Sequence, residues 1–112
     1  MAPVTTLGEF EQLLLLAVLR LDAEAYGASI ARELESTAGR AVSRGALYTS
    51  LDRLEDKGLL RWAAAKGTPA RNGLPRRLYT VTPGGIAALR GSRETLRRMW
   101  RGVEHLLKDS AS

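Results

Sequence analysis

The stretch LLLLAVLRL at residues 13–21 narrows the folding options of this chain more than any other. Thr6 and Glu9 have the spacing of a capping box, which predicts a helix beginning there and running to about Leu21, behind a loose arm at residues 1–5. That helix carries Phe10, Leu13, Leu14, Leu15, Leu16, Val18, Leu19 and Leu21, so it is apolar on every side and calls for burial on every side. A chain of 112 residues fits one domain, which can cover one face of such a helix and has little left for the others. A second chain is the economical cover. The run is too short and too interrupted to cross a bilayer, and no basic n-region precedes it, so a cytoplasmic protein without a membrane partner is expected.

After a short turn at residues 22–25, Tyr26 to about Ala38 reads as a second helix, with Ile30 and Leu34 at helical spacing and Gly39 as its stop. A short connection leads to SRGALYTSLDRLEDKG at residues 43–58. Leu47, Leu51 and Leu54 make the inward stripe, Ser43 is suited to N-cap the helix, and Gly58 to end it. The opposite face carries Gly45, Thr49, Asp52, Arg53 and Asp56, with Tyr48 on its flank. Its first half has Arg44 and no acid, while Asp52, Glu55 and Asp56 lie in the second half. A helix that enters a DNA groove by its N-terminal half would be arranged this way, because acids there would face phosphates. The plain alternative is an ordinary solvated face. Two helices joined by a short turn that starts at glycine form a helix-turn-helix pattern.

Beyond Gly58 the period changes. LLRWAAA at residues 59–65 and RRLYTVT at residues 76–82 have strand character, and KGTPARNGLP between them is rich in Gly and Pro and free of acids. This predicts a hairpin with a long basic tip, the winged-helix arrangement, in which Arg71, Arg76 and Arg77 suit phosphate contact or insertion into a narrow minor groove. Trp62 reads as packing. Thr82-Pro83 then opens a last helix. Ile86, Leu89, Arg93, Leu96, Trp100, Val103 and Leu107 step by three and four, a seam predicted to run unbroken to Leu107 and to pair with a second chain. Gly91 and Gly102 each cost roughly 1 kcal/mol inside a helix and mark a bend or room for something bound.

Charge supports the same division. Residues 1–39 hold two arginines against six acids, residues 40–77 hold nine Lys or Arg against three, and residues 78–112 hold six against three. The basic block thus coincides with the third helix and the hairpin, which argues for an anionic partner better than the net charge of +5 does. With no cysteine, and His105 as the only histidine, thiolate chemistry, disulfides and Cys- or His-rich metal sites are excluded. No catalytic constellation, cofactor or metal site is expected. The rival to DNA binding is a basic helical interaction protein for RNA or a protein partner, although an aromatic-rich sheet surface for single-stranded RNA is absent.

The segments LGEFEQLLLLAVLRL at residues 7–21, YGASI at 26–30, GALYTSLDRLEDKGLL at 45–60 and RRLYTVTPGG at 76–85 together resemble the PadR family of bacterial transcriptional regulators, in its short branch with a single C-terminal helix. The resemblance implies a mainly α fold with a small β-hairpin: a winged helix-turn-helix domain over residues 1–82 and a C-terminal dimerisation helix over residues 83–112. It implies a homodimeric repressor on a palindromic double-stranded operator, with the last helix exchanging contacts with the partner's first helix. Carried over by position, Ser43, Arg44, Tyr48, Thr49 and Arg53 become recognition-helix candidates. Tyr26 and Ser29 become backbone contacts, as do Lys66, Arg71, Arg76 and Arg77 of the wing. Leu74 and Leu78 depart from the pattern, since a basic and an aromatic residue are frequent there. The family also implies a planar aromatic or cationic effector between subunits, stacked on Trp100, with Phe10, Leu14, Met99 and Val103 around it. Against that stands the commoner use of such a residue, with Trp100 filling the dimer core.

Overall fold

Residues 6–66 and 75–108 are described by a computed structural model. Helix α1 spans Glu9–Leu21, α2 spans Gly27–Ala38 and α3 spans Arg44–Asp56; strands β1 (Leu60–Ala65) and β2 (Arg76–Val81) follow, and α4 runs Pro83–Trp100. The three leucines of α3 meet Leu14, Leu15 and Val18 of α1 and Ile30 and Leu34 of α2 in one buried cluster. Leu59, Leu60, Tyr79 and Val81 close it from the hairpin side. The helix-turn-helix with its wing is therefore held by a single core.

Helix α1 does not start at Thr6. Gly8 is its N-cap, and the Glu11 carboxylate accepts the Gly8 N–H at 3.0 Å. The acid that completes the cap is the one three residues beyond Gly8, so the start shifts by two residues from Thr6. Burial pushes the Glu11 carboxyl up, but Lys57 at 2.6 Å and the Gly8 N–H outweigh it and hold its pKa below the ordinary carboxylate value. The contact thus stabilises the fold at neutral pH and is lost as pH falls through that depressed value. Through Lys57 it also ties the end of α3 to the start of α1.

The junction after α3 is built tightly. Gly58, at φ +76°, takes the left-handed conformation that any side chain would resist. The N–H groups of Gly58 and Leu59 then bond back to the carbonyls of Glu55 and Leu54, satisfying the last turn. Thr82 joins this stop to the next start. Its hydroxyl donates to the Gly58 carbonyl at 2.7 Å and accepts the Gly85 N–H at 3.0 Å, while its own N–H donates to the Leu59 carbonyl. Strands β1 and β2 pair antiparallel, with Leu60 opposite Val81 and Trp62 opposite Tyr79. On its other edge, β2 donates the Tyr79 N–H to the Ala25 carbonyl at 2.9 Å, which fixes the connector before α2 against the wing.

The first turns of α4 complete the core with Gly85 and Ala88 buried and Ile86 and Leu89 packed against it. From Arg93 through Lys108 every residue is exposed. The expected unbroken seam to Leu107 does not form as one helix. Helix α4 ends at Trp100, Gly102 turns the chain at φ +87°, and Glu104–Leu107 form a short 3-10 turn. A glycine in an unpacked final turn has little to hold it helical and can adopt the left-handed conformation freely.

Gly85 lets the start of α4 pack tightly against Leu59 and Val81. A Cβ there would lie 2.2 Å from the Leu59 carbonyl oxygen and 2.6 Å from Val81 Cγ1. Backbone cannot yield as a side chain can, so Gly85→Ala is expected to destabilise the fold by about 1–3 kcal/mol in denaturant melts, whereas Gly91→Ala, at a position with open space, should be neutral or stabilising.

Candidate nucleic-acid interface

The polar face of α3 follows from its buried stripe. With Leu47, Leu51 and Leu54 turned inward, Arg44, Gly45, Ala46, Thr49, Asp52 and Arg53 are exposed together on one side. Ser43 caps the helix, its hydroxyl accepting the Ala46 N–H at 3.1 Å. Arg44, in the first turn, lies with its guanidinium 5.6 Å from the Tyr48 ring centre. Tyr48 is half-buried, because its phenol lies over the first turn of α2. A Cβ on Gly27 would fall 2.1 Å from the Tyr48 hydroxyl oxygen, so only glycine lets the ring rest there. Tyr48 thus serves packing between α2 and α3 as well as the surface.

The start of α2 is closed by its own side chains. Tyr26 is the N-cap residue and donates its N–H to Ser29 Oγ at 3.0 Å. The Ser29 hydroxyl turns back to the carbonyls of Glu24 and Tyr26. Ser29 is therefore engaged as a cap, and its single O–H can donate to a phosphate only by leaving these carbonyls.

The root of the wing adds two arginines. Arg76 lies over the Tyr26 ring, 3.8 Å from its centre, and Arg77 over the Trp62 ring at 4.3 Å. Arg77 also approaches Asp52 of α3 at 3.5 Å. The Tyr79 ring behind it is enclosed by the core, and burial pushes its phenol up in pKa. Trp62, expected as packing, thus also carries a cation on its face. Lys66 is exposed at the end of β1, while Arg71 and Leu74 lie outside the described residues.

Together these residues line one basin of about 770 Å³ between α2, α3 and the wing. Tyr26, Ser29, Arg44, Tyr48, Arg76 and Arg77 all belong to its wall, whereas Ser43, Thr49, Arg53 and Lys66 are not among its lining residues. Arg32 is there too, outside the set expected from the sequence. Its signal was its place three residues after Ser29, on the same face of α2. Four arginines face two carboxylates, Glu24 and Asp52, so the concavity favours an anion.

The effector candidates do not gather in one place. Leu14 is wholly buried in the core, because the domain needs it against α2 and α3, and so it is corrected from a ligand contact to a core residue. Phe10 is half-buried on α1 with the Arg40 guanidinium 5.7 Å from its ring. Met99, Trp100 and Val103 are exposed at the far end of α4 and just beyond it. Among the described residues no cluster of His, Asp or Glu could hold a metal ion, and no helix is long and apolar enough to cross a membrane.

Known proteins resemble this chain in sequence and in fold. The family model described as "Transcriptional regulator PadR-like family" matches residues 15–91. The transcriptional regulator Rv3488 of Mycobacterium tuberculosis is 42% identical over 82 residues, covering 73% of this chain and 72% of that protein. A PadR-like transcription factor from Bacteroides fragilis superposes with a TM-score of 0.68 at 28% identity, covering 87% of this chain and 88% of the other. The complex structure of hsRosR-S1 superposes with a TM-score of 0.66 at 29% identity, covering 94% and 92%.

The contact between Gly27 and Tyr48 gives a test of the site's construction. Gly27→Ala should force the phenol off α2 and lower stability by about 1–3 kcal/mol. In a Tyr48→Ala background the same change should cost less than about 0.5 kcal/mol, and thermal melts of the four variants would measure the difference as a coupling.

Proposed function

The chain belongs to the PadR-like family of transcriptional regulators, and from that membership we propose that it is a cytoplasmic, homodimeric repressor that binds a palindromic operator and is released by a small-molecule effector. DNA-binding regulation of transcription is what the family does, and no catalytic role is assigned. The observation that carries the reading is the basin of arginines beside the acid-free first half of α3. In this reading that half of α3 enters the major groove, Arg44 and Thr49 reach base edges, Arg53, Lys66, Arg71 and Arg76 lie along the phosphates, and Arg77 supports the same face from the wing root.

The dimer is inferred from apolar surface. Among the described residues, Leu16 and Leu19 of α1, with Trp100 and Val103, are about two-fifths exposed, and Leu96, Met99, Leu106 and Leu107 are more open. A soluble monomer rarely leaves such a set uncovered. We assign residues 83–112 to dimerisation, with the first turns of α4 serving the core of the winged domain over residues 1–82 as well. Two Trp100 rings brought together by the symmetry would bind a planar aromatic or cationic compound, each stack worth about 0.5–1.5 kcal/mol beyond area burial. Met99 and Val103 flank that site, with Phe10 contributed across the interface. Release from DNA requires the compound to prefer one spacing of the two recognition helices over another.

Light scattering at micromolar concentration should give twice the chain mass, and Leu96→Glu with Met99→Glu should halve it; one chain's mass for the native protein sinks the dimer. Selection from random duplexes should return an inverted repeat with half-site centres about one helical turn, or a multiple, apart. Arg44→Ala should relax preference at one position of each half-site by about 1–3 kcal/mol. In a Trp62→Phe background, planar dyes should quench Trp100; unchanged emission across a broad panel, with Trp100→Ala dissociating the dimer, leaves Trp100 as core.

A further inference from the structure

Arg76 and Arg77 are neighbours in β2, so their side chains leave opposite faces of the strand. They are held by different means. Arg77 is engaged on two sides, by the Trp62 ring at 4.3 Å and by the Asp52 carboxylate of α3 at 3.5 Å. Arg76 has no carboxylate partner among the described residues. Its guanidinium carbon lies 3.8 Å from the centre of the Tyr26 ring, and its Nε is buried without a hydrogen-bond partner. Stacking, not hydrogen bonding, therefore fixes Arg76, and the terminal nitrogens of a guanidinium held this way remain available for an acceptor. Glu24, the other carboxylate of the basin, forms no ion pair with it.

We propose that Tyr26 is a positioning residue whose ring presents Arg76 to a DNA phosphate, while Arg77, bound to Asp52 and Trp62, sets the angle between wing and recognition helix. This rests on the DNA-binding reading and assigns separate roles within it. A long, flexible side chain loses rotamer freedom when it binds, and a ring that already holds the guanidinium removes much of that loss. Arg77, by contrast, already directs one guanidinium nitrogen at the Asp52 carboxylate, which offsets its charge toward a phosphate. The hydroxyl of Tyr26 has no part in the arrangement; the ring face does. The split also explains how one strand can serve two purposes, because alternate residues of β2 face different elements.

Binding of the full chain to a mixed-sequence duplex of about 30 base pairs, followed by fluorescence anisotropy over a series of salt concentrations, tests the proposal. Arg76→Ala should weaken binding and reduce the steepness of the salt dependence by about one, the signature of one lost phosphate contact. Tyr26→Leu should do the same with a loss of roughly three- to ten-fold, Tyr26→Phe should restore native affinity and slope, and Tyr26→Leu added to Arg76→Ala should cost nothing more. Arg77→Ala and Asp52→Ala should weaken binding with the slope unchanged, and the double variant should be no worse than either alone. Tyr26→Phe behaving like Tyr26→Leu overturns the inference, since the hydroxyl would then be the contact. A slope that falls with Arg77→Ala and not with Arg76→Ala overturns it equally. If Tyr26→Leu melts below the assay temperature, Tyr26→Phe and the two arginine variants still decide by their slopes. A native protein that binds no duplex at any salt removes the DNA-binding reading itself, an outcome distinct from native binding with the wrong pattern of variants.

Discussion

Everything on the outer surface of this protein depends on where Leu47, Leu51 and Leu54 are buried. All three are enclosed against α1 and α2, at most 2% exposed, and they fix the rotation of α3 about its axis. At 3.6 residues per turn, burying that stripe turns Arg44, Thr49, Asp52 and Arg53 outward together. The ends of α3 are fixed as firmly, by the Ser43 cap at one and by the Gly58 stop at the other. Since the Gly58 carbonyl also receives the Thr82 hydroxyl, the same junction sets where α4 departs. A shift of α3 would be transmitted to the wing through Asp52 and Arg77 and to α4 through Thr82.

The core that orients α3 is small, and its size has a second effect. It covers the inner side of α1 and the first turns of α4, and it leaves Leu16, Leu19 and the end of α4 open. In the proposed dimer that remainder is the interface, so one shortage of core would supply both the assembly and the proposed effector site. The two halves are mechanically joined: α4 contacts the wing at Gly85, which touches the Leu59 backbone, and Leu59 follows the stop of α3. A compound that changed the angle between two copies of α4 would act on α3 through this junction.

Much of this could be read from the residues. The stripe of α3, its cap and stop, the two strands and the Thr-Pro start of α4 follow local rules of period and capping, and they stand where expected. What could not be read depends on approach between distant segments. Nothing local says that Gly85 lies against the Leu59 carbonyl or Gly27 under the Tyr48 phenol. The rings beneath Arg76 and Arg77 belong to residues 50 and 15 positions away in the chain, so both arginines read simply as basic wing residues. Leu14 lies in the core although a helix apolar on every side gives no local sign of which leucine faces its own domain. The end of α4 was missed because the three-and-four spacing continues past Gly102, while the packing that would hold that turn helical is absent from the single chain.

Amide hydrogen exchange on the free chain and on its complex with a selected operator duplex tests the central claim, that the first half of α3, the start of α2 and the wing root form one DNA-binding face. The account predicts new protection over residues 26–32, 43–50 and 75–79 on DNA binding, with exchange along residues 93–100 unchanged from the free protein. Protection confined to residues 93–100, with α3 exchanging as it does in the free protein, would contradict it.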